Sequence, residues 1–213
     1  ETPWETVRSG IFLALADFAA RQAQRLAGGN ERAWKPDLLV PIDRVEQLRG
    51  EYRLLLALMR PKGSVQVLYH QQQEQKEASA KQRIDEVMID FQRERLFATH
   101  SMIHAPSLID VVHMGTSVLA GSFFRPNILF INVLGRSDEE LTQLIQLAEA
   151  AKMGVALLVM HEEARMSRER DINIWVRDQS PDWRLGLRMA SLDLAILLGY
   201  QLNRNWRGKL RLL

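Results

Sequence analysis

Short apolar runs with the character of buried strands alternate with helix-period segments along most of this chain. Residues 38–40, 65–69 and 127–133 are such runs, and each is followed by apolar residues at helical spacing. A run that is apolar at successive positions is typical of a strand covered on both faces, as in a parallel sheet. Strands that alternate with helices predict an α/β fold with mainly parallel sheets flanked by helices.

Polar residues with capping character predict where the helices begin. Thr2 opens a helix that should end at the Gly28–Gly29 pair, and Asp43 is placed to cap a helix that stops before Pro61. Ser107 and Ser137 each stand three residues before an acidic side chain, which is the pattern of a helix start. We also predict strands at residues 96–103, 155–160, 172–177 and 209–213, with a helix over residues 192–204.

One seven-residue pattern occurs twice, 90 residues apart. Residues 34–40 read WKPDLLV and residues 124–130 read FRPNILF, so an aromatic residue, a base, Pro and Asp or Asn precede three apolar residues in both. The strands predicted at Val65 and Val155 keep the same offset. The repeat predicts two similar subdomains, residues 1–105 and residues 106–213.

Composition restricts the functions open to the chain. With 213 residues and no Cys, it has the size for one large or two small domains and lacks disulfides, thiolate metal sites and a cysteine nucleophile. No apolar run approaches the ~20 residues of a membrane-spanning helix. A first residue other than Met leads us to expect a piece of a longer polypeptide.

Basic residues are concentrated near the end of the sequence. The net charge is +2, yet residues 161–213 hold ten Lys or Arg against seven Asp or Glu. Arg204, Arg207, Lys209 and Arg211 could form a solvated basic edge or face an anionic partner such as the inner leaflet of a membrane. Because aromatic residues are not interleaved with a dense basic stripe, we do not expect nucleic-acid binding.

The motifs of common catalytic sites do not occur. The sequence has neither a phosphate-binding G-x-x-x-x-G-K-[ST] loop nor a G-x-S-x-G nucleophile turn. His100 and His104 fall on a predicted strand, where they would lie ~13 Å apart and could not easily share a metal ion. Residues 161–163, His-Glu-Glu, follow a predicted strand end and are either a ligand site or a solvated loop. We therefore expect no catalytic residue, cofactor or metal.

Four segments, in order along the chain, resemble motifs of the cytoplasmic carboxy-terminal region of cation–chloride cotransporters. Residues 34–40 resemble W-R-P-x-x-L-V, residues 121–127 (GSFFRPN) resemble G-L-x-x-L-R/K-P-N, residues 172–178 (INIWVRD) resemble I-D-I-W-W-x-x-D, and residues 206–211 (WRGKLR) resemble W-R-x-x-K-I-R. The motif positions, which we expect to have structural roles, are Trp34, Pro36, Arg125, Pro126, Asn127, Trp175, Asp178, Trp206 and Arg207. The three Trp side chains are expected to pack in a core or an interface.

The resemblance implies a prokaryotic-type member of this family with two α/β halves that each resemble universal stress proteins. It implies a non-catalytic regulatory and dimerisation domain on the cytoplasmic side of the membrane, belonging to a symporter of chloride with sodium and/or potassium. Its partners would be a second copy and the membrane domain of the same polypeptide, with anionic lipid as a further candidate. Residues 179–183 replace the Asp-Gly-Gly that usually follows the third motif, and the phosphorylated insertions of animal members have no counterpart.

Two other readings of the sequence stay open. A free-standing nucleotide-binding sensor of the universal stress type is the alternative, although the glycine-rich loop of such proteins does not occur here. An enzyme of unknown chemistry is the third, and the missing motifs count against it.

Overall fold

Five parallel strands form the main sheet in the order β3-β2-β1-β4-β5. The computed structural model describes residues 34–71, 77–122, 124–160, 170–175 and 191–213. The strands are β1 (Asp37–Ile42), β2 (Ser64–Gln71), β3 (Phe97–His104), β4 (Ile128–Asn132) and β5 (Gly154–Leu158). Strand order runs outward in one direction from β1 and in the other from β4, so the topological switch point lies between these two central strands.

Helices cover both faces of this sheet. They are α1 (Val45–Met59), α2 (Glu77–Arg93), α3 (Leu108–Leu119), α4 (Asp138–Ala150) and α5 (Ser191–Trp206). One core contains residues of α1, α2 and α5, among them Leu48, Phe91 and Leu194, and the other contains residues of α3 and α4. Neighbouring strand residues such as Leu38 and Leu39 enter opposite cores, which explains why the strand sequences are apolar at successive positions.

A second, two-stranded sheet lies beyond the main one in sequence. Strands β6 (Asp171–Ile174) and β7 (Lys209–Leu212) pair in parallel, and α5 connects them. The α/β class and the parallel pairing predicted from the sequence are confirmed, and every predicted helix and strand that falls on the described residues is present. The predicted first helix, after Thr2, lies outside the described residues.

The repeated segments are the two central strands. Leu38 pairs directly with Ile128 and Leu39 with Leu129, so equivalent positions of the two copies are hydrogen-bonded neighbours. Each copy begins a β-α-β unit that proceeds outward, through α1 to β2 or through α4 to β5. Strands on both sides of residue 105 therefore belong to one sheet, and the repeat corresponds to two units within that sheet.

Three of the predicted helix caps lie on described residues. The structure confirms two of them and contradicts the third. Ser107 Oγ accepts the backbone N–H of Asp110 at 3.2 Å, and Ser137 Oγ accepts that of Glu140 at 3.1 Å. The prediction that Asp43 caps α1 is wrong. The N-cap residue is Arg44, and the side-chain oxygen of Gln47 accepts the backbone N–H groups of Asp43 and Arg44 at 3.2 and 3.3 Å. The Asp43 carboxylate is directed away from the helix start, toward His70 and Arg136.

Candidate functional site at the carboxyl edge of the sheet

Charged and polar side chains meet where β1, β2 and β4 end. Asp43 follows β1, His70 lies near the end of β2, Asn132 ends β4, and Arg136 lies in the loop between β4 and α4. Glu51 joins them from the buried face of α1. Carboxyl ends of parallel strands at a switch point are the usual location of a ligand in this type of fold.

Arg136 is the centre of this carboxyl-edge cluster. Its guanidinium donates to Asp43 Oδ2 at 2.9 Å, to Glu140 Oε1 at 2.7 Å and to the Asn132 carbonyl at 3.1 Å. The Arg136 side chain is only 6% exposed. A buried guanidinium with two carboxylates and a carbonyl has its charge and its donors satisfied internally.

His70 extends the cluster toward β3. Its Nδ1 lies 2.8 Å from Asp43 Oδ1, and its Nε2 lies 3.0 Å from the Ala105 carbonyl oxygen. Through these two contacts His70 connects the ends of β1, β2 and β3.

Glu51 and Asn132 form the buried side of the cluster. Glu51 is 2% exposed, and its Oε1 accepts Asn132 Nδ2 at 3.0 Å. Burial raises the pKa of Glu51 to about 7, while the Asn132 hydrogen bond and the charge of Arg136 act in the opposite direction. Asn132 Nδ2 also donates to the Met160 carbonyl at 2.9 Å, which fixes the chain just after β5.

This cluster is suited to holding the ends of β1, β2 and β4 in place. Its groups are occupied by one another, and within the described ranges no group of three or more His, Asp or Glu side chains could hold a metal ion. The first turn of α4 carries Asp138, Glu139 and Glu140, so this helix end, which follows β4, repels a phosphate group.

The family-motif residues lie elsewhere, several of them at the amino edge of the sheet. Asn127 Oδ1 accepts the Asp37 N–H at 2.9 Å and its Nδ2 donates to the Lys35 carbonyl at 2.8 Å, so it joins the starts of β1 and β4. Pro36 and Pro126 are buried beside it. Arg125 is exposed and donates to the Ala151 carbonyl at 3.0 Å.

The remaining motif residues are divided between the core and the surface. Trp34 and Trp206 are half-buried against the core of α1, α2 and α5, as expected. Trp175 is 77% exposed, so it does not pack in the core, and its packing in an interface stays a prediction. Arg207 is exposed in the turn before β7 with a φ of 56°. Asp178 lies outside the described residues.

The other candidate residues from the sequence do not form a site. His100 and His104 are on β3, as predicted, and have separate neighbours: His100 Nε2 is 3.6 Å from Asp85 Oδ1, and His104 Nδ1 is 3.1 Å from the Gln71 carbonyl oxygen. Residues 161–163 lie outside the described part of the chain.

Sequence reasoning missed the carboxyl-edge cluster. The available signal was a polar residue at the end of an apolar strand: Asp43 after β1, His70 in β2 and Asn132 in β4. Glu51 gave a further signal, because it interrupts the apolar stripe of α1 on its buried face.

Comparisons with known proteins agree with the architecture. The family model described as prokaryotic cation-chloride cotransporter, C-terminal domain, first part, matches residues 40–166, and the model of the second part matches residues 167–213. The first match contains the whole five-stranded sheet except the start of β1, and the second contains β6, α5 and β7. No curated protein matches the chain.

A solved structure is similar to this one over most of the chain. It is described as the cytoplasmic domain of a prokaryotic cation chloride cotransporter, and the two share 31% identity with a TM-score of 0.70. The match covers 84% of this chain and 66% of that one, so the present chain spans just under two thirds of that domain's length. In the described ranges, no helix has the length and apolar character to cross a bilayer. By the family model that matches more than half of its residues, the chain belongs to the prokaryotic cation-chloride cotransporter family, in the C-terminal domain.

Proposed function

We propose that this chain is the cytoplasmic, non-catalytic regulatory and dimerisation domain of a symporter that moves chloride with sodium and/or potassium. Family membership supports the proposal, as does the likeness to a cytoplasmic domain of such a transporter. The observation that carries it is the carboxyl-edge cluster, in which the protein's own ion pairs occupy the place where related folds bind a ligand.

The chemistry of the cluster favours a structural and regulatory role over catalysis. Asp43 and Glu140 are both held by Arg136, and Glu51 is held by Asn132, so these carboxylates are engaged in ion pairs and hydrogen bonds within the protein. The acidic first turn of α4 counts against the alternative of a nucleotide sensor. Calorimetric titration with ATP separates the two, since tight binding would favour the sensor.

Regulation by such a domain needs only a modest coupling free energy between partner binding and the arrangement of the carriers. A partner that binds one arrangement of two joined carriers better than another shifts the population toward that arrangement. Coupling of ~1–3 kcal/mol is typical of allosteric proteins and can come from a few contacts. Exposed apolar side chains such as Val118 on α3 (78%) and Val159 after β5 (74%) are compatible with a contact of this kind.

Self-association of the isolated chain tests the dimerisation part of the proposal. Light scattering over a concentration series should show the mass rising from 24.5 kDa toward twice that value. A mass that stays at 24.5 kDa throughout the series would count against a dimerisation domain. The concentration dependence also gives the dissociation constant, against which interface variants can be compared.

A further inference from the structure

The two-stranded sheet has one face against α5 and one face that no described residue covers. A methyl group added to Gly199 of α5 would lie 2.5 Å from the Ile174 side chain and 3.4 Å from that of Leu210, so these two residues face the helix. Side chains alternate along a strand, which places Asp171 and Asn173 of β6 on the opposite, outer face. Lys209 and Arg211 are paired with them in register and share that face.

Positive charge dominates one end of the outer face. An open concavity there is lined by four cationic side chains, one carboxylate and an indole: Arg170, Arg207, Lys209, Arg211, Asp171 and Trp206. Arg211 pairs with Asp171 at 2.7 Å. In the described part of the chain, Arg170, Arg207 and Lys209 have no carboxylate within ion-pair distance. The rim of the concavity therefore carries a net charge of +3.

An exposed indole lies at the other end of the same face. Trp175 follows Ile174, the last residue of β6, and by strand alternation it continues the row of Asp171 and Asn173. It is 77% exposed, which is unusual for the largest apolar side chain. The basic concavity and Trp175 are separated by about 13 Å along the strand.

We infer that this outer face, the basic concavity together with Trp175, binds the surface of an anionic phospholipid bilayer. The inference rests on the proposed function, which places the domain next to a membrane. Arg170, Arg207 and Lys209, which have no carboxylate partner among the described residues, are attracted to anionic headgroups, and Trp side chains favour the headgroup region. An acidic peptide would be held mainly by backbone hydrogen bonds along a strand edge, whereas the cations of the concavity and Trp175 lie on the face of the sheet.

Vesicle co-sedimentation of the 213-residue chain tests the inference. The chain should bind vesicles of phosphatidylglycerol and phosphatidylcholine, should not bind vesicles of phosphatidylcholine alone, and should be released by salt. The double variant Arg170→Gln/Lys209→Gln should bind about 25-fold more weakly, since each cation near an anionic surface contributes about fivefold. Trp175→Ala should weaken binding with less dependence on salt.

A matched variant controls for charge alone. Arg53→Gln/Lys62→Gln removes two exposed cations distant in sequence from this sheet, and its binding should stay within about twofold of the original. Thermal melting of each variant, followed by circular dichroism, shows whether it is folded. Loss of binding in a folded Arg170→Gln/Lys209→Gln variant, with the control unaffected, supports the inference.

Four outcomes would overturn it. Equal binding to neutral and anionic vesicles would exclude charge recognition, and binding that is equally reduced in the control would assign it to net charge. Displacement by millimolar inorganic phosphate at constant ionic strength would identify a soluble-anion site instead. A chain that dimerises in light scattering but does not bind vesicles refutes the membrane contact while leaving the proposed function intact.

Discussion

Glu51 couples the protonation of one carboxyl group to folding. It is 2% exposed, and burial raises its pKa from 4.5 to about 7. Below pH 4.5 the group is protonated in the folded and the unfolded chain, so it adds no pH dependence. As the pH rises from 4.5 to about 7, only the unfolded chain can ionise freely and stability falls; above that range the full cost persists.

Glu51→Gln should remove this cost while keeping an oxygen that accepts from Asn132. We expect the free energy of unfolding of the variant to be roughly 3 kcal/mol higher than that of the original protein at pH 8 and equal to it near pH 4. Urea denaturation at both pH values measures the difference. Glu149→Gln, at an exposed position near the end of α4, is the control and should change stability by less than ~0.5 kcal/mol. A difference that is the same at both pH values would contradict the assignment.

Asn127 is the motif residue with the clearest structural role. Asn127→Ala leaves the Asp37 N–H and the Lys35 carbonyl without the partners they have at 2.9 and 2.8 Å. We expect a loss of about 1–3 kcal/mol in the free energy of unfolding, measured by urea denaturation. Asn173→Ala, on the exposed face of β6, should be nearly neutral. A neutral Asn127→Ala would mean that the family motif does not serve to join β1 and β4.

At the scale of helices and strands, local sequence patterns were sufficient to predict the elements. They did not predict which distant residues and strands pair with one another. Apolar runs and helical stripes depend on neighbouring residues, so they predicted each described element. The carboxyl-edge cluster joins Asp43 to Arg136 across 93 residues, and no local pattern specifies that contact. The repeat likewise gave no indication that its two copies would pair as β1 and β4 in one sheet.

The turn between α1 and β2 depends on close backbone contact at Gly63. A Cβ atom there would lie 2.4 Å from the Pro36 carbonyl oxygen and 2.8 Å from that of Met59. Because the backbone at Pro36, just before β1, and at Met59 of α1 cannot yield without moving those elements, Gly63→Ala should destabilise the protein by about 3 kcal/mol. The same change at Gly121, where nothing lies within 4 Å, should have little effect. Similar denaturation midpoints for the two variants would show that the turn can relax.

At the scale of the whole molecule, α5 attaches the two-stranded sheet to the main one. Leu194 of α5 is 4% exposed and belongs to the same core as α1 and α2. Asn205 Nδ2 donates to the Ala57 carbonyl at 2.7 Å and to the Arg60 carbonyl at 3.1 Å, so α5 satisfies acceptors at the end of α1. A signal received by β6 and β7 therefore has a packed route, through α5 and α1, to Glu51 and the carboxyl-edge cluster.

If this route joins the two parts into one folding unit, weakening it should destabilise both. Leu194→Ala should cost about 2–5 kcal/mol and should lower hydrogen-exchange protection in α1 as well as in α5. Arg204→Ala, at an exposed position on the same helix, should leave protection in both helices nearly unchanged. Loss of protection in α5 alone would show that β6, α5 and β7 open independently of the main sheet. Membrane contact at the outer face could then change the order of that unit without reaching the cluster, and regulation would have to follow another path.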